Sequence, residues 1–352
     1  MATGSTNLEV LYGAIEVSEG TATTPTRKLY VGPGGGIDIS GIQKYATIED
    51  RRAWGKRTSL AAVYSGTEDS VLRITGAPVA YESIGWWLTA LAPSGGVVPG
   101  TVDSSAYTRT FTPVETTTVN TYGTGFFTLN IEHSATDFAS TKVWKMPAMR
   151  IINFTINFSK RASGTDTGLT FDAELQMTKG TATAATAFST ALADYTQTLA
   201  IGNQLASYVD TTTIGSTADT NVSAARFSLT NPVSFHDGMD GTQGHTSAHH
   251  SLQWTPMLTL TRKFSDLTEL NAYVAKTTRK VRIASIGGIV GATTATNQFY
   301  LDFYGKPMDH RVTAVDGMWY AEIDLEGIYD TTATTSWTAF LRNSVAAAYT
   351  AT

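Results

Sequence analysis

Six residues in one stretch could do chemistry together: His236, Asp237, Asp240, His245, His249 and His250. Imidazole and carboxylate groups suit zinc or a similar cation, and His245 and His249 stand at the i, i+4 spacing of a helix face. Their surroundings, HDGMDGTQGHTSAHH, are glycine and small polar residues, which neither sustain a helix nor orient ligands, and HExxH is absent. The balance favours a solvated loop without metal. Glu132, Asp172, Glu174, Asp302, Glu322, Asp324 and Glu326 would offer paired carboxylates for glycoside cleavage. Each stands at the polar phase of an alternating strand, however, so they read as a wetted sheet face or the acidic lining of a water-filled channel. GPGGG at Gly32–Gly36 lacks the Gly-Lys-Ser/Thr ending of a phosphate loop, and no GxSxG elbow occurs. None of these patterns is specific enough to single out a catalytic residue.

The densest charge cluster is EDRRAWGKRT, with Arg51, Arg52, Lys56 and Arg57 around Trp54. Charge runs are usually solvated hairpin tips. A tryptophan among arginines is also the composition of a protein–protein hot spot, and that reading is preferred here.

The elements that must position these groups are mostly strands. In GFFTLNIEH, RIINFTINFS, LTFDAELQM and MWYAEIDLEGIY apolar and polar residues alternate strictly, the mark of antiparallel sheet with one buried face. One stretch breaks the period. From Ser83 to Ala92, Ile84, Trp87, Leu88 and Leu91 fall at i, i+3, i+4 and i+7, predicting a helix over about 80–92 with one apolar stripe laid across a sheet. Glu82 would sit in its first turn, favoured by the helix dipole. A second short helix is expected at about 265–276, where Asp266 and Glu269 have capping-box spacing. The fold class expected is mainly β: an antiparallel sandwich or half-barrel with one packed helix, an extended N-terminal arm and long loops.

The chain reads as a single domain over 1–352, with an arm and first strands at 1–48, the charged loop at 49–58, and a probable insertion or surface elaboration at 180–253. Within that insertion, Phe188, Leu192, Tyr195 and Leu199 allow a helix. Of 352 residues 42% are apolar but only 16% charged, which suits a β-protein that covers much of its surface with neighbours. The net charge of −5 leaves no basic footprint for tight nucleic-acid binding, and with no cysteine there is neither disulfide nor thiolate chemistry. A reducing cytoplasm fits. The N-terminus lacks a signal-peptide pattern, and no apolar run is long enough to span a bilayer.

In succession, TATTPTRKLYV, the charged loop, LRITGAPVAYESIGWWLTAL, YTRTFTP, FTLNIEH, YAEIDLEGIYD and WTAFLRN resemble the major tail tube protein of long-tailed bacteriophages with non-contractile tails. The resemblance implies a structural virion protein with no catalytic residue and no cofactor, assembled in the host bacterial cytoplasm, whose hexameric rings stack into a hollow tube that conducts DNA. It implies contacts with tape-measure, tail-terminator and baseplate or tail-tip proteins, and no membrane. Carried onto this chain, Arg51, Arg52, Trp54, Lys56 and Arg57 would reach the adjacent ring. The helix would cover the outer face of the sheet, and the seven acids would face the lumen and keep passing DNA from sticking. Two alternatives stay open at this point: another virion β-protein (head decoration, tail completion or adhesin module), and a carbohydrate-active enzyme.

Overall fold

The computed structural model describes residues 10–16, 19–20, 23–32, 35–41, 45–51, 60–92, 99–103, 105–113, 129–137, 140–160, 168–185, 196–231, 233–236, 239, 245, 247–250, 254–290, 294–315 and 317–349. The chain is mainly β, with antiparallel sheets and two α-helices among these residues. The first strands are β1 (Val10–Ile15), β2 (Arg27–Leu29), β3 (Gly36–Gly41), β4 (Tyr45–Arg51), β5 (Leu60–Glu68) and β6 (Val71–Pro78). Helix α1 (Ile84–Leu91) follows, then β7 (Gly100–Asp103), β8 (Ala106–Phe111), β9 (Leu129–Asp137), β10 (Ser140–Ser159) and β11 (Leu169–Met177). The next are β12 (Thr183–Ala185), β13 (Leu205–Asp210), β14 (Val222–Thr230), β15 (Val233–His236), β16 (Ser247–His250) and β17 (Thr255–Lys263). Helix α2 (Thr268–Val274) precedes β18 (Arg279–Ile289), β19 (Thr296–Val315), β20 (Met318–Gly327) and β21 (Trp337–Asn343).

Two layers enclose the core. One runs β3-β6-β11-β10-β14-β17-β20-β19, antiparallel at every step. The other runs β13-β18-β19-β21-β8-β7. Phe158 and Phe227 of the first layer meet Phe299, Phe303 and Trp337 of the second, with ring centroids 5.3–6.3 Å apart. Two long strands pair with different neighbours along their two halves because each bends. The register of β19 shifts between Pro307 and Asp309, next to Gly305, where an added Cβ would lie 2.5 Å from the Phe303 ring and 2.8 Å from the Glu326 carbonyl. Strand β10 shifts between Met146 and Met149, with Ala148 at φ 51° held by its N–H donating to Glu16 Oε1. Its first half pairs with β9 and β12, and β9 continues to β1 and β2.

Helix α1 departs from the expected single stripe. All eight of its residues are buried. Trp87 packs on Phe171 of the first layer (5.5 Å), and Gly85 lies so close to Leu341 and Tyr349 that a Cβ there would come within 2.7 Å of both. On a further side the Trp86 ring would stand 2.7 Å from a Cβ at Gly13 of β1. The helix is thus a core element, not a cover on an outer face. Glu82 lies before the N-cap residue Ser83, and its Oε2 accepts the Thr198 N–H at 2.7 Å. It pins a distant segment instead of serving the dipole. In α2 the capping box does not form either: Asp266 accepts the Thr268 N–H, while Glu269 turns to Arg279.

The span 180–253 is not confined to the periphery, since β14 lies between β10 and β17 and β13 pairs with β18. Most of the helix suggested through Phe188, Leu192 and Tyr195 lies outside the described residues. After β13 the chain turns back through a carboxylate hub. Asp210 accepts Ser216 Oγ–H at 2.7 Å, Ser216 N–H at 3.1 Å and Thr217 N–H at 3.0 Å. Burial pushes the Asp210 carboxyl up, but these donors outweigh it and hold the group below its ordinary value. A carboxyl depressed only in the folded state contributes stability above the unfolded value of about 3.9 that is lost as pH falls through the folded value. Asp210→Asn should cost about 1–2 kcal/mol at neutral pH and remove part of the acid-induced loss. Urea titrations of both proteins at about pH 7 and pH 3 check this; parallel losses would refute it.

Candidate functional site

The polar side of the first layer is the surface on which five of the seven expected acids converge. In β11 Leu169, Phe171, Ala173, Leu175 and Met177 are buried, which turns Asp172 and Glu174 to the other face. Glu174 Oε1 accepts from Arg73 at 2.7–2.8 Å, and its Oε2 accepts from Asn153 Nδ2 at 2.7 Å. Asp172 accepts the Gly76 N–H at 2.7 Å and Asn157 Nδ2 at 3.0 Å. Each of these four oxygens therefore has a donor, and a substrate would have to displace one. Arg73, Asn153, Thr155, Asp172 and Glu174 line a shallow depression of about 170 Å³.

Further along the same face Asp324 accepts from Thr259 Oγ1 and from Arg311 Nη2, both at 2.7 Å, and the same Nη2 reaches Glu322 at 3.1 Å. Glu326 stands opposite the exposed Lys306 in the β19–β20 register. The acids Asp38, Asp172, Glu174, Glu322, Asp324, Glu326 and Asp309 outnumber Arg73, Arg226, Lys263, Arg311 and Lys306 on this face, and threonine and asparagine fill the spaces between. The result is a stiff polar surface with an acidic excess.

Two of the seven acids are placed elsewhere, and the expectation that all were wetted is corrected. Glu132 on β9 is buried, with Lys145 Nζ at 3.6 Å on the facing strand. Asp302 is buried on the far side of the second layer, where Arg282 donates to it through Nε at 2.6 Å and Nη2 at 2.7 Å. Burial pushes the Asp302 carboxyl up and Arg282 opposes the rise. The guanidinium in turn lies 4.1 Å from the Tyr300 ring, which stacks on Phe340. Alternation gives the phase of a residue within its strand; it does not say whether the outward face is covered.

The charged loop is carried by β4 and β5, a separate two-stranded ribbon between β3 and β6. Arg51 ends β4; Arg52, Trp54, Lys56 and Arg57 lie outside the described residues. In the histidine-rich segment, Ser247–His250 is a strand paired with Val233–His236, not a helical turn. His245 is buried, with its ring stacked 4.2 Å from Phe235. No cluster of three or more metal-ligating side chains occurs among the described residues. Among the described residues no helix is long and apolar enough to cross a membrane.

Sequence reasoning missed a second cluster, Arg27, Arg109 and Tyr349, where two buried arginines flank a buried tyrosine near the end of the chain. The only signal for it is an isolated aromatic in an alanine-rich tail. Comparison with protein-family models finds no match for the chain, and comparison with curated proteins finds none either.

Proposed function

We propose that this protein is a self-assembling structural subunit of a phage tail tube, in which copies join into hexameric rings and the rings stack around a bore that passes DNA. The observation that carries this reading is the first layer. It has two edges unpaired among the described residues, β3 at one end and the second half of β19 at the other. Eight strands alternating in direction leave these two edges antiparallel to each other. The last strand of one copy can therefore meet the first strand of the next in the sense an antiparallel ladder needs, by a repeated head-to-tail rotation. Joining the edges would also remove two templates for uncontrolled pairing. The polar face would then run unbroken around the ring, and its acidic excess would repel phosphate instead of binding it.

In this reading no reaction is catalysed and no cofactor is needed; the partners are further copies and the tape-measure, terminator and tail-tip proteins at the two ends of the tube. Localisation follows as the virion tail. Electron microscopy of the concentrated pure protein is expected to show rings or tubes. A persistent monomer with glycoside hydrolase activity would overturn the reading.

The charged loop is assigned to the contact between rings. Replacing Trp54, Arg51 and Arg52 together by alanine should leave the free energy of unfolding within about 0.5 kcal/mol of the parent, because side chains committed to a contact between rings hold little of the subunit's own core together. Tube length in micrographs should fall severalfold. Tubes of undiminished length from a folded variant would remove the assignment.

A further inference from the structure

The tail after β21 sits in a cleft shaped to it. Residues 344–349 make no strand pairing among the described residues, yet Tyr349 is only 1% exposed. Its ring lies between the Arg27 and Arg109 guanidinium groups, each 4.5 Å from the centroid. Its hydroxyl donates to the Glu82 carbonyl at 3.1 Å and accepts from Asn343 Nδ2 at 3.0 Å. Arg109 Nη2 donates to the carbonyls of Val345 and Ala347 at 2.9 and 2.8 Å, and Arg27 Nη2 donates to that of Ala348 at 3.3 Å. The cleft thus grips main-chain carbonyls of an extended segment and one tyrosine ring, the pattern of a peptide receptor with a single aromatic anchor. Arg109 is 3% exposed and its Nε has no hydrogen-bond partner among the described residues, so the carbonyls of the tail supply much of what keeps that cation satisfied.

We propose that this cleft is a docking site for the tail of a second copy, and that neighbouring copies exchange residues 344–349. A second copy carries the identical segment, so every contact is conserved, and leaving the cleft breaks no strand ladder. Among the described residues, exchange then differs from the closed form in the path of 344–348, of which Ser344, Ala346 and Ala347 are exposed, and in concentration. A tethered tail competes at an effective concentration of about millimolar, which copies packed side by side in an assembly match. Five extended residues reach about 17 Å, so only a copy in direct contact supplies the tail. The exchange goes beyond the ring reading and holds for any close assembly of this chain.

Two full-length variants test it. Tyr349→Ala keeps the cleft but blunts the tail; Arg27→Met with Arg109→Met keeps the tail but disables the cleft. With one variant tagged at its N-terminus, mixing is expected to recover the other at least tenfold above a Tyr349→Ala self-mixture. A synthetic peptide of residues 344–352 should suppress that recovery and raise the melting temperature of Tyr349→Ala. Peptide stabilisation without co-recovery would overturn the exchange, and a peptide without effect on the melt would overturn the receptor. If either variant fails to fold, labelled peptide added to the wild-type chain during assembly gives the readout, and no incorporation overturns the proposal. Co-recovery without rings in micrographs would separate this exchange from the tube reading.

Discussion

Trp87→Ala will cost about 3–5 kcal/mol, a large part of the roughly 5–15 kcal/mol that holds a typical domain folded. The side chain is fully buried, with its ring 5.0 Å and nearly perpendicular to Trp86 and 5.5 Å from Phe171. Because α1 is enclosed on every side, no single neighbour can relax into the space, and the cavity persists. The indole Nε1 is buried without a hydrogen-bond partner among the described residues, so the polar atom itself contributes nothing favourable. Trp87→Phe removes that N–H and keeps a ring, and should cost well under half as much. Urea unfolding of the two variants decides between packing and any specific role for the indole. Equal losses, or a loss below about 1 kcal/mol for alanine, would mean that the core closes over the site.

The second large effect is expected at Glu269. Its carboxylate accepts Arg279 Nε and Nη2, both at 3.1 Å, with all these groups nearly inaccessible, and Arg262 Nη1 stands 3.8 Å away. Arg262 is itself held by Asp219 at 2.8 Å. Removing the acid by Glu269→Ala strands the Arg279 cation in the interior, for which about 3–5 kcal/mol is the usual cost. The double replacement Glu269→Leu with Arg279→Met should recover most of it, since neither partner is then left charged and buried. A double variant no better than the single one would show that the pair contributes more than charge cancellation. The group lies where α2 meets β17 and β18, so its loss should also loosen α2, which hydrogen exchange of the Asn271 and Ala275 amides would report.

Glu269 also shows why part of this architecture was hidden in the sequence. Its spacing from Asp266 has the form of a capping box, a local signal, but the residue is claimed by an arginine ten positions on that only the turn from α2 into β18 brings near. Glu82 behaves alike: the first-turn place expected of it falls before the N-cap residue, and its carboxylate is taken by a backbone donor 116 residues away. The site acids divide for the same reason. Glu174 finds Arg73 across 101 residues on an open polar face, whereas Asp302, equally polar in phase, finds Arg282 on a covered one. Trp319 is the converse case. It continues the apolar phase of Ala321, Ile323 and Leu325, yet it is 59% exposed because nothing described packs over that end of the hairpin.

The sequence by itself determined the mainly β character, the phase of each long strand and the position of α1. These follow from period-two and period-3.6 alternation, which is a property of neighbours along the chain. Only the tertiary structure decided that α1 is enclosed and not laid outside, that β14 belongs to the middle of the first layer, and that five of the seven acids share a face. Those outcomes depend on the bends of β10 and β19 and on partners about a hundred residues apart. The free energy of burial or pairing there belongs to surfaces that exist only once the layers have met.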